Sequence, residues 1–187
     1  MAVIKRMLDI FLATVGMLLT LPLLPAIALF VKLDSKGPIF YPCERVGKDR
    51  KLFKMYKFRT MVEIPAQVGT SLSPRGDVRV TDFGRFLRKT KLNEPPQLIN
   101  ILKGEMSIVG PRPPLPDEVA LYEDWHKYRI EGWVGLTGLW QICGRNRLQF
   151  EEVVLFDVFY LHNFSLSLDL QIILLTVNVV LSPKGSY

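Results

Sequence analysis

Residues 10–31 read IFLATVGMLLTLPLLPAIALFV, a run of 22 residues without a charged side chain. As an α-helix this run would be about 33 Å long, close to the roughly 30 Å hydrocarbon core of a bilayer. Pro22 and Pro25 each remove a backbone donor, which predicts a break in the helix. Basic residues flank the run on both sides and do not choose an orientation. The residues leave both a spanning helix and a re-entrant helix open.

The composition excludes several classes of protein. The chain of 187 residues is 49% hydrophobic, so it is neither intrinsically disordered nor of low complexity. It carries 24 Lys and Arg against 18 Asp and Glu, a formal net charge of +6. A chain that is both this apolar and this basic is expected to contact something oily and anionic.

The rare residues and glycine patterns exclude further kinds of site. Cys43 and Cys143 stand far apart and no Cys-x-x-Cys pair occurs, so the sequence predicts no disulfide framework. His126 and His162 lack a second ligand at the spacing of a zinc site. The chain also lacks GxGxxG and GxxxxGK[ST], the glycine patterns of two common nucleotide-binding folds.

The C-terminal segment has the pattern of an amphipathic helix. Its apolar face carries Leu166, Leu170, Ile173, Leu174, Val177, Val180 and Leu181. Ser167, Asp169, Gln171, Asn178 and Ser182 lie mostly on the other face. Two placements are open: the apolar face packs on the domain's own core, or it lies in the headgroup plane of a membrane.

Two strands and a loop are expected in the polar middle of the chain. The strands cover Ile39–Tyr41 and about Leu52–Phe58, and the turn Gly47–Asp49 joins them. This pattern predicts a β-hairpin. Residues 65–76 are rich in Gly, Ser and Pro and are expected to form a mobile surface loop.

A basic run follows the loop. It contains six cations against two acids, and its residues 82–92 have helical spacing. The cations are Arg75, Arg79, Arg85, Arg88, Lys89 and Lys91. The run is either a solvated face or an electropositive wall for phosphates. Nucleic acid is not expected as the partner, because a recognition motif and aromatic stacking platforms are lacking.

The basic run leads into a candidate anion site. Asn93 is a good N-cap, which predicts a helix that begins there and ends before Gly104. The N-terminus of a helix attracts anions. Arg112 lies between two prolines, either in a stiff linker or as a preorganised reader of phosphate. Glu94 and Asp157 supply oxygens that could hold Mg²⁺ together with substrate phosphates.

Taken together, the motifs resemble the bacterial sugar transferase family, the monotopic phosphoglycosyl transferases. The resemblance covers nearly the whole chain, and its short length is similar to the minimal members, which have only a membrane hairpin and a catalytic domain. The motifs are Lys5-Arg6 with Asp9, the Pro-broken apolar run, Lys57-Phe58-Arg59-Thr60-Met61, Gly84-Arg85-Phe86-Leu87-Arg88-Lys89-Thr90, Asn93-Glu94-x-Pro96-Gln97-Leu98-x-Asn100, Lys103-Gly104-Glu105-Met106-Ser107, Gly110-Pro111-Arg112-Pro113, Leu136-Thr137-Gly138-Leu139-Trp140-Gln141 and Gly144-Arg145.

The resemblance implies an activity and a location. Members of the family transfer a sugar 1-phosphate from a UDP-sugar to polyprenyl (undecaprenyl) phosphate and release UMP. The reaction begins assembly of a membrane glycoconjugate, such as an exopolysaccharide or a lipopolysaccharide. It takes place at the cytoplasmic face of the bacterial inner membrane.

The resemblance also implies a fold. It is α+β and mainly helical, with a small β-hairpin, in a monotopic membrane protein. Residues 1–36 are expected to form a re-entrant membrane helix that is kinked at Pro22. Residues 37–187 are expected to form the cytoplasmic catalytic domain, whose C-terminal interfacial helix covers about 164–182. Association into a homodimer is left open.

The site residues follow by position in the family's motifs. The carboxylate that attacks the sugar-proximal phosphorus, giving a covalent phosphosugar enzyme, is expected at position 93. Glu94 is linked to metal or proton handling, and Asp157 is expected on the metal or nucleotide side. The cofactor is Mg²⁺. The residues expected to contact substrate phosphates are Lys57, Arg59, Arg88, Arg112 and Arg145.

This chain departs from the family at the decisive position, because Asn93 stands where the family has Asp. A carboxamide is uncharged and a poor nucleophile, while Asn caps a helix about as well as Asp. The chain as written is therefore expected to fold but to be inactive or impaired. Three origins remain open: a deliberate substitution, a natural member with altered activity, or a natural binder of sugar nucleotide or lipid phosphate without catalysis.

Overall fold

The computed structural model describes residues 2–62, 77–144 and 147–181. The loop predicted over residues 65–76 lies outside these ranges, as does Arg145. The helices are α1 (Ala2–Thr20), α2 (Leu24–Asp34), α3 (Asp82–Thr90), α4 (Gln97–Lys103), α5 (Pro116–Ala120), α6 (Leu139–Cys143), α7 (Phe150–His162) and α8 (Leu166–Leu181). The strands are β1 (Phe40–Val46), β2 (Leu52–Phe58), β3 (Ser107–Val109) and β4 (Gly135–Thr137). The prediction of a mainly helical α+β fold with a small hairpin is confirmed.

The apolar run forms one helix with a local change of pitch. A 3₁₀ turn, Leu21–Leu23, separates α1 from α2, with Pro22 in its first turn and Pro25 in the first turn of α2. The missing proline N–H costs little at a helix start, so the two prolines are accommodated without ending the helix. The segment Val3–Asp34 is long and apolar enough to cross a membrane. Whether it is re-entrant stays a prediction.

β1 and β2 form the predicted β-hairpin. β1 and β2 pair antiparallel, with Phe40 opposite Phe58 and Val46 opposite Leu52. The predicted bounds of β2 are confirmed, whereas the first strand runs to Val46 and not only to Tyr41. The sequence pattern concealed this extension because Pro42 interrupts it, although an edge strand tolerates proline.

A second, parallel pair of strands was not predicted. β3 pairs with β4 through only three residues on each side. A Cβ on Gly135 would collide with the backbone of Gly110, so the close approach at this point depends on glycine. Strands this short show no periodicity, which is why the sequence pattern does not reveal them.

The bounds of α3 and α4 test two predictions. Thr81 accepts a hydrogen bond from the Gly84 N–H at 3.0 Å and caps α3, whose start at Asp82 agrees with the prediction. The predicted helix start at Asn93 is wrong, because α4 begins only at Gln97. The prolines that follow Glu94 disfavour helical backbone in the residues before them. The predicted end is confirmed, since Gly104 closes α4 at φ 86°.

Three apolar clusters form the core of the described chain, and two of them include residues of the N-terminal helix. Ala13 of α1 packs with Met55, Ile101 and Met106. α2 packs against α3 in a cluster of Ile27, Val31, Phe58 and Leu87. α7 and α8 meet β3 in a cluster of Val109, Tyr160 and Ile172. Both halves of the apolar run therefore contribute to the core, and a domain division at residue 36 stays a prediction.

Most of the predicted apolar face of α8 does not pack on this core, although Ile173 contacts the cluster of Val109, Tyr160 and Ile172. The side chains of Leu170, Leu174, Leu175, Val177 and Val180 are exposed. Asp169 is fully buried instead, although the helical pattern put it on the polar face. Of the two placements that the sequence left open, the structure disagrees with packing on the domain's own core.

A buried ionic network explains the burial of Asp169. The Lys5 ammonium lies 2.6 Å from Asp169 Oδ2 and also donates to the carbonyl of Val109 at 3.2 Å. The Tyr160 hydroxyl donates to Asp169 Oδ1 at 2.6 Å. Burial and the hydrogen bond to Asp169 raise the pKa of Tyr160, which keeps its hydroxyl a donor. The network ties α1 to α7, α8 and β3.

We expect Asp169→Leu to lower the free energy of unfolding by about 3–5 kcal/mol, because it leaves the Lys5 ammonium buried without a counter-ion. The double variant Lys5→Met/Asp169→Leu should recover most of that loss. Denaturation in detergent micelles measures both effects. Asp124→Asn, which removes the charge from an exposed pair with Lys127, is the control and should leave the midpoint of the denaturation curve unchanged. An unaltered midpoint for Asp169→Leu would contradict this role.

Candidate active site

A cleft with a volume of about 1660 Å³ gathers most of the predicted site residues. Six of them line it: Lys57, Arg59, Arg88, Asn93, Glu94 and Arg112. The hairpin and the residue after it, α3, the segment before α4 and the loop after β3 bring them together from distant parts of the chain. Asp157 is not among the lining residues, and the remaining predicted residue, Arg145, lies outside the described ranges.

Glu94 is the centre of the charged part of this cleft. Its Oε1 lies 3.1 Å from Arg112 Nη2 and 3.8 Å from Lys57 Nζ. Burial raises the pKa of this carboxyl, but the charges of Arg112, Lys57 and Lys91 outweigh burial and bring the pKa down to about 2. Glu94 is therefore ionised at neutral pH and shared between two cations.

Lys57 carries the opposite shift. β2 places its ammonium in the cleft wall, where burial and then the charge of Arg112 lower its pKa to about 7, although Glu94 opposes them. Two cations facing one carboxylate leave an excess of positive charge in a mostly buried site. An anionic ligand would neutralise that excess and raise the pKa of Lys57 again.

The backbone and the side chain of Asn93 have separate environments. Its carbonyl accepts a hydrogen bond from the Phe58 N–H at 3.0 Å, which holds the segment before α4 against the end of β2. Its side chain is buried, and Oδ1 has no hydrogen-bond partner within the described residues. A buried acceptor without a partner is costly in a folded protein. This side-chain oxygen is thus available to a group that enters the cleft.

Two of the predicted phosphate-binding arginines also support the fold. Arg59 Nη2 donates to the carbonyls of Val31 at 3.2 Å and Ser35 at 2.6 Å, at the C-terminus of α2. Arg59 Nε and Nη1 are buried and have no partner within the described part of the chain. Arg88 Nε donates to Thr60 Oγ1 at 2.9 Å. Contact of either residue with phosphate stays a prediction.

Asp157 belongs to a different buried pair. Arg129 Nη2 and Nε donate to Asp157 Oδ2 at 2.6 and 3.0 Å, and Arg129 Nη1 donates to the Tyr122 hydroxyl at 2.8 Å. Burial raises the pKa of Asp157 to about 6, and Arg129 limits the rise. Asp157 acts here as the partner of a cleft-lining arginine, and its role on the metal or nucleotide side stays a prediction.

Arg129 lines the cleft and was missed by the sequence reasoning. It stands in the stretch Trp125–Ile130, which has no motif spacing and forms a 3₁₀ helix. Its partner Asp157 lies on α7, 28 residues further along the chain. No local signal announces such a pair. Only Asp157, as the one acid in the otherwise apolar stretch of residues 153–161, could have drawn attention to the pair.

The donor set can be compared with what Mg²⁺ requires. Among the described residues, no three His, Cys, Asp or Glu side chains meet in one place. The Glu94 carboxylate and the unpartnered Oδ1 of Asn93 provide hard oxygen atoms beside each other in the chain. Mg²⁺ commonly takes one or two protein oxygens and completes its shell with substrate phosphates and water. The residues fit such an ion only together with phosphate, because Arg112 and Lys57 repel an unaccompanied dication.

We expect Lys57 to react with an amine-acylating reagent with a midpoint near pH 7, since its ammonium is half deprotonated there. Pulse labelling across a pH series, read by mass spectrometry, gives the midpoint. The exposed Lys51 supplies the reference profile. Glu94→Gln should move the Lys57 midpoint further down, because Glu94 raises that pKa. Identical profiles for Lys57 and Lys51 would contradict this electrostatic account.

Comparison with known proteins identifies the family of the chain. A family model described as "Bacterial sugar transferase" matches residues 1–183. The chain is 41% identical over 198 aligned residues to the exopolysaccharide production protein ExoY of Rhizobium meliloti (strain 1021), an alignment that covers 98% of this chain and 88% of that protein.

Two longer relatives carry names that state a reaction. One is the undecaprenyl-phosphate galactose phosphotransferase of Salmonella typhimurium, which is 39% identical over 98% of this chain and 42% of its own length. The other is the UDP-N-acetylgalactosamine-undecaprenyl-phosphate N-acetylgalactosaminephosphotransferase of Aeromonas hydrophila, 37% identical over 99% of this chain and 45% of its own length. The chain thus spans less than half of each of these two. With the family match across nearly its whole length, the chain belongs to the bacterial sugar transferase family.

Proposed function

We propose that this chain is built to transfer a sugar 1-phosphate from a UDP-sugar to a polyprenyl phosphate, with release of UMP, at a membrane surface. The observation that carries the proposal is Glu94 held between Arg112 and Lys57 in a cleft that also reaches the apolar helices α1 and α8. Such a cleft suits one polar and one oily substrate, both of them phosphorylated. The relatives' names differ in the sugar, so the sugar stays open here.

The electrostatics of the cleft support phosphoryl chemistry. A diphosphate, a lipid phosphate and an attacking carboxylate are all anions and repel one another. Preorganised cations remove this repulsion without reorganisation during the reaction. Arg112 presents a guanidinium suited to bidentate contact with phosphate, and its flanking prolines limit the entropy lost on binding. Lys57 adds a point charge that binding of an anion would stabilise.

The nucleophile would act from position 93. In the family mechanism a carboxylate oxygen attacks the sugar-proximal phosphorus, the bond from that phosphorus to the UMP oxygen breaks, and UMP leaves. An oxygen of the lipid phosphate then displaces the carboxylate. The side-chain oxygen at position 93 lies in the cleft wall without a protein partner, which suits this role. In this chain it belongs to the amide of Asn93, so we expect binding with little or no transfer.

Glu94, with the side-chain oxygen at position 93, is our candidate for holding Mg²⁺ when phosphates are present. The ion would neutralise charge on the phosphate oxygens. Glu94 is ionised across the neutral range, as a metal ligand must be. Arg112 and Lys57 would hold the carboxylate in place before the ion arrives.

We also propose a monotopic, re-entrant placement at the cytoplasmic face of the inner membrane. Both ends of the N-terminal helix are tied to the same domain: Lys5 binds Asp169 at one end, and Arg59 binds the carbonyls of Val31 and Ser35 at the other. If the helix crossed the membrane, its two ends would lie on opposite sides of the bilayer. One domain could not then contact both ends, so these contacts favour a re-entrant helix. The exposed apolar face of α8 suits an interfacial position.

A non-catalytic role is the second candidate, because a specific observation favours it. Asn93 retains the backbone contact to Phe58 and the shape of the site while it removes the negative charge of the nucleophile. Less repulsion towards phosphates would favour binding. Such a chain would hold a sugar nucleotide or a lipid phosphate without converting it.

We expect Asn93→Asp to raise UMP release from a UDP-sugar with undecaprenyl phosphate by at least about a thousandfold, because it supplies the missing nucleophile. A panel of UDP-sugars in detergent micelles or nanodiscs, with UMP measured by a coupled assay, gives the rate. Asn93→Ala is the matched control and should stay at background.

Arg112→Ala in the Asn93→Asp background should lower kcat/KM about 100-fold or more through loss of phosphate stabilisation. No UMP from Asn93→Asp with any sugar, but retained binding of UDP-sugar, would favour the non-catalytic role instead.

A further inference from the structure

The lining of the cleft changes character from one end to the other. Beside Glu94 the lining carries the charged side chains of Lys57 and Arg112, whereas another part of it comes from the apolar helices α1 and α8. From α1 it takes Gly16 and Thr20. From α8 it takes Ile173, Thr176, Val177, Val179 and Val180, with Leu98, Ile108 and Leu136 also in the lining. We call the part of the cleft that is lined by these residues of α1 and α8, together with Leu98, Ile108 and Leu136, the α1–α8 groove.

The hydroxyls in the α1–α8 groove are already used. Thr20 Oγ1 donates to the Gly16 carbonyl at 2.8 Å. Thr176 Oγ1 donates to the Ile172 carbonyl at 2.7 Å and lies 2.7 Å from Thr137 Oγ1. Because the hydroxyls bond inside the protein, the groove surface is formed mainly by methyl and methylene groups. It offers little to a sugar or a nucleotide.

The α1–α8 groove also lies next to exposed apolar surface. On α1, Leu18 and Leu19 flank the groove residues and are exposed. On α8, Leu174 and Leu175 are exposed on the same turns as Ile173 and Val177. Exposed apolar area of this extent marks a surface that meets lipid or a partner. The groove therefore continues from the charged site to an apolar surface.

We propose that the α1–α8 groove binds the first isoprene units of the polyprenyl phosphate, with its phosphate beside Arg112 and Lys57. This proposal rests on the proposed function, and it states which residues contact the hydrocarbon part of the lipid substrate. The occupant follows from continuity: one end of the ligand must be anionic and the next part hydrocarbon. A sugar nucleotide is polar along its whole length and does not match that order.

The first test uses the Asn93→Asp form. Val177→Trp fills the groove and should raise the KM for undecaprenyl phosphate by about tenfold or more, with the KM for the UDP-sugar unchanged. Leu174→Trp adds the same ring three residues earlier, at a more exposed position outside the groove, and is the matched control. Equal effects of both variants, or an unchanged lipid KM for Val177→Trp, would overturn the proposal. Val177→Phe, a smaller change, replaces Val177→Trp if the latter does not fold.

The second test uses the Asn93 chain itself and needs no turnover. A polyprenyl phosphate with a diazirine on its first isoprene unit should label Thr20, Ile173 or Val177, and excess undecaprenyl phosphate should abolish the label. Label confined to Leu18, Leu19 and Leu174, or label that competition does not reduce, would mean only bulk lipid contact and would overturn the proposal.

The two tests separate this proposal from the proposed function. Competed label in the groove, without UMP release by the Asn93→Asp form, would support the groove and count against the transferase. UMP release by the Asn93→Asp form, with no competed label and an unchanged lipid KM in Val177→Trp, would support the transferase and overturn the proposal for the groove.

Discussion

The pairing of buried charges at both ends of the apolar N-terminal helix is the constraint on which the rest of the structure depends. Lys5 reaches Asp169 at one end, and Arg59 reaches the carbonyls that end α2 at the other. A charge taken out of water is tolerated only where partners compensate it. These contacts therefore fix the position of α1 relative to α8 and the hairpin. Since both helices line the cleft, the same contacts hold its walls.

Inside the cleft, the positive charges are not fully balanced by negative ones. Glu94 is ionised because two cations face it, while Lys57 holds its proton only weakly at neutral pH. One carboxylate does not neutralise both Arg112 and Lys57. The remaining positive charge has its natural complement in phosphate, which binds such cations through charge-assisted hydrogen bonds. This imbalance favours the binding of sugar phosphates, whereas the proposed transfer also requires a nucleophile at position 93.

Position 93 shows how fold and chemistry are separated in one residue. The backbone carbonyl of Asn93 holds the end of β2, a contact that any side chain would permit. The side-chain Oδ1 has no protein partner among the described residues, and Asn93 is one of the residues that line the cleft. Either a carboxylate or an amide at this position is therefore compatible with the same architecture, and in the proposed mechanism only the carboxylate is a nucleophile. The fold alone cannot reveal whether a member of this family is active.

The sequence by itself determined the apolar helix, β2, the position of α3, the end of α4 at Gly104 and, through ordered motifs, six of the residues that line the cleft. These features are written locally, in periodicity, capping residues and spacing. Only the tertiary structure decided the pairing of β3 with β4, the burial of Asp169 and the pair of Arg129 with Asp157. The physical reason is that a buried charge takes its partner from wherever the chain folds back. Residues 28 or 164 positions apart share no local pattern that announces the contact.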